Sequence, residues 1–257
     1  MKIENFPLVV FGKLRAIVRL LLFFLSASFF ILSILIIGLF TRVSPAKGVR
    51  YRQQFCRFLM PILGIQITKI GKADYENVLF ISNHRSYIDP FVQVTHFPAL
   101  VVAKMEIRSW PIIGYGVKIT GTYFVKREEK SSRAAARADI SKTIKEGQSI
   151  LLYPEGTTTK LPTTLPFKPR TFHMAADNQV KIVPIAIEYQ DPDDAWVGDD
   201  TFVPHFLQVF AKRKVVCEVH YGEPMWDKDG DLLREKVQAW VNGELTEMRE
   251  KWGLDND

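Results

Sequence analysis

The chain has 257 residues, 47% of them apolar and 24% charged, which is globular composition and excludes a disordered or fibrous chain. Two cysteines, Cys56 and Cys217, are too few for a disulfide framework or, by themselves, a zinc site, and they point to a reducing compartment. The 34 Lys and Arg outnumber the 28 Asp and Glu for a net charge of +6, yet the first 60 residues set nine basic side chains against Glu4 alone, which makes +8 there and −2 in the remainder. That asymmetry argues against a nucleic-acid surface spread over the whole protein.

Leu20 to Phe40 is a run of 21 residues without a charge. At 1.5 Å per residue a helix of that length spans roughly 30 Å, the thickness of a bilayer's hydrocarbon core. The run is too long for a signal-peptide core, and no small-x-small cleavage site follows it. It reads as a retained membrane helix over about 20–40. Basic residues flank both ends, so its orientation stays open. A second helix over about 48–63 repeats Tyr51, Phe55, Leu59 and Leu63 every four residues, with Arg50, Arg52 and Arg57 between them. Pro61 is expected to break or kink it. The arginines could rest on anionic headgroups, or the helix could pack on the following domain.

From Gly64 the pattern changes, dividing the chain into an anchor, 1–64, and a domain, 65–257. Short apolar runs at 65–70, 78–82, 100–103, 121–125, 150–153, 180–189 and 215–221 read as strands. Helical stretches at 90–96, 131–145, 171–178 and 231–251 alternate with them. Ser131 is the expected N-cap of the second, and Gly147 lies just past its end. The alternation predicts an α/β sheet covered by helices, with sites in the loops beyond the strand ends.

The 78–82 strand runs into Asn83-His84-Arg85-Ser86-Tyr87-Ile88-Asp89-Pro90. Asp followed by Pro is a helix start, with Asp89 as N-cap. A turn of this length can also fold Asp89 onto His84. A carboxylate on one imidazole nitrogen fixes the tautomer and stabilises the imidazolium, and leaves the other nitrogen to take a proton from a hydroxyl. The Ser and Cys residues have no nucleophile-elbow context, so a base acting without a protein nucleophile fits better. Three more segments stand out. Gly121 to Arg127 is a strand ending in Lys126-Arg127. Tyr153-Pro154-Glu155-Gly156-Thr157-Thr158-Thr159 is a strand stopping in a turn. Val183-Pro184-Ile185 puts Pro inside an apolar run, the mark of an edge strand or a bulge. His96, His173, His205 and His220 have no comparable context.

In order and spacing, the His-x4-Asp segment and these three resemble the four blocks of the glycerolipid acyltransferases, and most closely the 1-acylglycerol-3-phosphate O-acyltransferases. The resemblance runs from about Gly64 to Pro224. Lesser matches are Lys104 to Gly114 with Trp110-Pro111, Phe167-Lys168, and Tyr221-Gly222-Glu223-Pro224. It implies a helix-covered sheet of that type, on a membrane and with its catalytic domain facing the cytosol. It also implies acyl transfer from acyl-CoA or acyl carrier protein to a lysophospholipid hydroxyl, with no cofactor. His84 would be the general base and Asp89 its holder; Arg127, with Lys126, would meet the acceptor's phosphate; Glu155, Gly156 and Thr157 would shape the acceptor site. Phosphatidate-forming members commonly carry Arg or Lys directly after Glu-Gly-Thr, where this chain has Thr158. Another lysolipid or a lyso-amino-acid lipid is therefore the alternative acceptor, and a non-catalytic membrane lipid-binding protein the alternative class.

Overall fold

The computed structural model describes residues 6–126 and 129–254. Two helices, α1 (Phe6–Phe40) and α2 (Pro45–Leu63), lead into β1 (Ile65–Ile70) and β2 (Leu79–Ser82). Then follow α3 (Asp89–Gln93), β3 (Leu100–Lys104), α4 (Ile113–Ile119), β4 (Thr122–Val125), α5 (Lys130–Lys145) and β5 (Ile150–Leu152). The chain closes with α6 (Arg170–Asp177), β6 (Ile182–Tyr189), α7 (Phe202–Val209), β7 (Val215–Tyr221) and α8 (Gly230–Trp252). All seven expected strands form. Helices α4 and α7 were not expected; both are short segments whose apolar residues alone do not distinguish helix from loop or strand.

The strands make one sheet in the order β1-β7-β6-β2-β5-β3-β4. Every neighbouring pair is parallel except β6 with β7. Successive side chains of a strand point to opposite faces, so Leu79 and Ile81 enter one apolar layer and Phe80 the other. Helices α5, α6 and α8 cover the first face; α2 and α7, with Phe23 of α1, cover the second.

Pro184 is not on an edge. It lies in β6, buried at every residue, between β2 and β7. The bulge half of the expectation holds. From Ile182 to Ile185 is three residues on β6, but their partners Met225 and Tyr221 are four apart. The ladder therefore slips where Pro184 has no N–H to give.

Helix α1 is longer than the apolar run, and is long and apolar enough to cross a membrane. It is also fastened to the domain. Arg19 donates to the carbonyls of Phe210, Lys212 and Arg213, and Arg15 to that of Ala211. Further along, Phe23 packs on Phe91 and Phe206, and Phe30 on Phe55. Val10, Leu14, Leu25, Phe29 and Leu32 remain exposed.

Helix α2 does not break at Pro61; it runs on to Leu63. Proline in the last turn removes one intrahelical bond, and Gly64, at φ 71°, closes the end by donating to the carbonyls of Met60 and Pro61. Two of its arginines serve the domain. Arg52 donates to the carbonyls of Ala99 and Gly121, and Arg57 to that of Thr95 at 2.7 Å. Arg50 is exposed. The N-cap of α5 is Glu129, not Ser131, which lies inside the first turn.

Candidate active site

Strands β2, β5, β3 and β6 are parallel neighbours, so their carboxyl ends open on the same side of the sheet. The loop after β2 is pinned first by Asn83. Its amide donates to the Ile187 carbonyl at 2.9 Å and accepts from the Ile187 N–H at 2.8 Å. Next in the chain, His84 places Nδ1 2.7 Å from Asp89 Oδ2.

Asp89 is 0% exposed. Its Oδ2 also accepts the backbone N–H groups of Arg85 at 2.6 Å and Ser86 at 2.9 Å, and its Oδ1 accepts the Tyr189 hydroxyl at 2.8 Å. It is not the N-cap of α3. Ile88 holds that place and Asp89 is the first helical residue, its carboxylate turned back over its own loop. Burial and the nearby Asp89 push the Tyr189 phenol well above its ordinary pKa, so it stays a donor.

His84 donates Nδ1–H to Asp89, and its Nε2 has no hydrogen-bond partner among the described residues. The ring is 15% exposed and stacks on Tyr153, with centroids 4.1 Å apart and planes 20° apart. It lines an apolar cavity of about 150 Å³, walled by Phe23, Leu59, Phe91, Val101 and Phe206 among others. Tyr153, Val102 and Ala103 belong also to a second cavity of about 370 Å³. Arg137, Lys168 and Arg170 line that one, and no Asp or Glu does among the described residues.

Glu155 braces the loop. One oxygen accepts the His84 N–H at 2.7 Å and the other the Leu165 N–H at 2.7 Å. Burial raises its carboxyl above the usual range, and those two bonds pull it partly back. Gly156 has φ 74°, and a Cβ there would collide with Lys168 Nζ, so the bare backbone lets the ammonium approach. Thr157 is exposed. The Thr158 hydroxyl donates to the Trp196 carbonyl.

His84, Asp89 and Glu155 are thus brought together. Lys126 is exposed at the end of β4, its Nζ 2.8 Å from Glu129, and Arg127 lies outside the described residues. Sequence reasoning missed Tyr153 as the stacking partner of His84, Tyr189 as the second holder of Asp89, and Arg85. The Arg85 guanidinium, 1% exposed, donates to Glu188 at 2.7 Å and to the carbonyls of Thr159 and Leu161. The only available signal was position, since each of these residues ends a strand or sits inside a block already noted.

An imidazole held by a buried carboxylate beside an apolar cavity, at the carboxyl ends of a helix-covered sheet, is an α/β arrangement able to take a proton from a hydroxyl next to an apolar chain. Residues 65–188 match the family model described as Acyltransferase. A lyso-ornithine lipid O-acyltransferase of Rhizobium meliloti is 30% identical over 206 residues, 73% of this chain and 70% of that one. A 1-acyl-sn-glycerol-3-phosphate acyltransferase of Neisseria gonorrhoeae is 30% identical over 190 residues, 70% and 73% of the two chains. The crystal structure of the 1-acyl-sn-glycerophosphate acyltransferase of Thermotoga maritima shares the fold, with a TM-score of 0.66 at 18% identity over 96% of this chain and 97% of that one. The chain belongs to the glycerolipid acyltransferase family and is an O-acyltransferase acting on lysolipids.

Proposed function

We infer that the acceptor is 1-acylglycerol 3-phosphate and the product phosphatidate, with acyl-CoA or acyl carrier protein as thioester donor. The observation that carries this reading is the position of His84 beside an apolar cavity, with a second cavity at Tyr153 that Arg137, Lys168 and Arg170 line. An acyl chain suits the first and a phosphate monoester the second.

His84 Nε2 takes the proton of the acceptor hydroxyl as its oxygen bonds to the thioester carbonyl carbon. Asp89 stabilises the imidazolium that forms. The tetrahedral intermediate collapses, the C–S bond breaks, and the departing sulfur takes the proton from His84. The products are an ester and a free thiol. General base catalysis supplies about 10²–10⁴-fold of the rate, and orientation of the two substrates must supply much of the rest. In this reading Lys126 and Arg127 meet the phosphate, and Gly156 and Thr157 bound it, with Glu155 holding their loop.

Helix α1 anchors the enzyme to membrane lipid through its exposed apolar face, and the domain faces the cytosol, where both thioester donors are found. One observation favours the lyso-ornithine alternative: the position directly after Thr157 is Thr158, not a cation, and its hydroxyl donates to the Trp196 carbonyl.

The test is a panel of lysophosphatidate, lysophosphatidylcholine, lysophosphatidylethanolamine and lyso-ornithine lipid, each with both donors, read by thiol release and ester formation. Lysophosphatidate should lead, His84→Ala should abolish transfer, and Lys168→Ala should raise KM for lysophosphatidate about tenfold. Preference for lyso-ornithine lipid, with KM for it unmoved in Lys168→Ala, would replace the acceptor and keep the chemistry.

A further inference from the structure

Helix α3 is little more than one turn long, yet it reaches the imidazole from two directions. Its first residue, Asp89, takes the edge of the ring through Nδ1. Its last residue, Gln93, lies four positions on and is wholly buried. The Gln93 Oε1 accepts the Tyr153 hydroxyl at 2.9 Å, and its Nε2 donates to Ser82 Oγ at 2.7 Å. Ser82 in turn donates to the Asn83 carbonyl at 2.9 Å. The Tyr153 ring held this way is the one stacked on His84.

We propose that Tyr153, anchored by Gln93, is a positioning residue that fixes the plane of the His84 imidazole and so sets the direction in which Nε2 meets the acceptor hydroxyl. The proposal rests on His84 being the base. A hydrogen bond at Nδ1 fixes one edge of the ring and leaves its plane able to tilt. Tilting the ring turns the Nε2 lone pair away from the acceptor hydroxyl, and misplacing reacting groups by about 1 Å costs on the order of 10²-fold in rate. A flat ring at stacking distance removes that freedom, and the phenol is kept in place by a buried amide whose oxygen and nitrogen are each hydrogen-bonded. The Tyr153 phenol is pushed well above its ordinary pKa by burial and by the nearby Asp89 charge, so it remains a neutral donor to Gln93. The ring also lines both the apolar cavity and the cationic one.

The experiment compares Tyr153→Leu, Tyr153→Phe and Gln93→Leu in the full-length protein, with lysophosphatidate and acyl-CoA as the assayed pair. Tyr153→Leu should lower kcat by about 10–100-fold with both KM values within about threefold, because ground-state binding survives and orientation does not. Tyr153→Phe keeps the ring and should recover most of that rate. Gln93→Leu should fall between them. The imidazole C–H protons of His84 should resonate upfield of the other histidines in the wild type and in Tyr153→Phe, through the ring current of a face 4.1 Å away. That spectrum decides the stack even if the leucine variants fail to fold. A folded Tyr153→Leu with kcat within threefold of wild type would overturn the proposal. So would a wild-type His84 with no upfield shift. If His84→Ala transfers acyl groups at the wild-type rate, the base assignment fails instead, and the spectrum still reports the stack.

Discussion

Replacing Asp89 with Asn separates the charge of the holder from its geometry. The orientation of the new amide is set in advance, because Oδ2 alone receives three donors, His84 Nδ1, Arg85 N–H and Ser86 N–H. Placing the NH₂ group there would face it with three N–H groups, so the amide oxygen takes that site. The NH₂ then meets the Tyr189 oxygen, whose hydroxyl turns to accept. The tautomer of His84 survives and only the charge is lost. For charge centres about 4 Å apart at an effective dielectric of about 20, the Coulomb contribution to the imidazolium is about 4 kcal/mol. At 1.36 kcal/mol per decade this predicts a fall in kcat of about 10³-fold. Asp89→Ala is a different perturbation. It orphans four donors at about 1–3 kcal/mol each, not additively, and should unfold the loop. The assay is thiol release with lysophosphatidate and acyl-CoA, alongside the melting temperature of each variant. A folded Asp89→Asn enzyme within tenfold of wild type would show that the charge does not act in the rate-limiting step.

Arg85→Met leaves the buried Glu188 with the Tyr189 N–H at 3.1 Å and, among the cations of the described residues, Arg249 at 3.4 Å, and should cost about 3–5 kcal/mol in urea unfolding, whereas Arg85→Met combined with Glu188→Leu should cost less; equal losses would refute the ion-pair account. Burial raises the Asp194 carboxyl to about 6 against an ordinary 3.8. The native state therefore binds this proton more tightly than the unfolded chain does, and stability should fall by at most about 3 kcal/mol as pH rises from 4 to 6. Asp194→Asn should remove that part of the slope, and an unchanged slope in its urea midpoints would count against the assignment. Replacing Leu25 and Phe29, both about two-thirds exposed on α1, with Ser should weaken vesicle binding at least about tenfold while leaving the melting temperature within a few degrees; unaltered sedimentation with vesicles would place the lipid contact elsewhere.

What could be read along the chain was whatever is set by neighbours in sequence. The strands announced themselves as short apolar runs, because β2, β5 and β6 are buried on both faces and need no polar alternation. Four residues separate His84 from Asp89, and a single turn closes the pair whatever the rest of the fold does. The membrane-length helix was legible because length and apolarity are sums over one segment. The tertiary structure decided the rest. Tyr153 and Tyr189 are 69 and 105 residues from His84, and nothing local marks either as its support; they arrive because β5 and β6 flank β2 in parallel and end on the same side. The strand order that does this is set by which apolar faces the helices cover, and periodicity says which residues are buried but not against what. Pro184 is the clearest instance. Its ring forbids one ladder bond wherever it sits, but whether that bond falls on an open edge or opposite a bulge in the middle of the sheet depended on β7 folding back antiparallel beside it. Arg52 and Arg57 could not be separated from Arg50 by composition. The first two found carbonyls of the domain beneath them and the third did not, because the helix presents each at a different angle to the sheet.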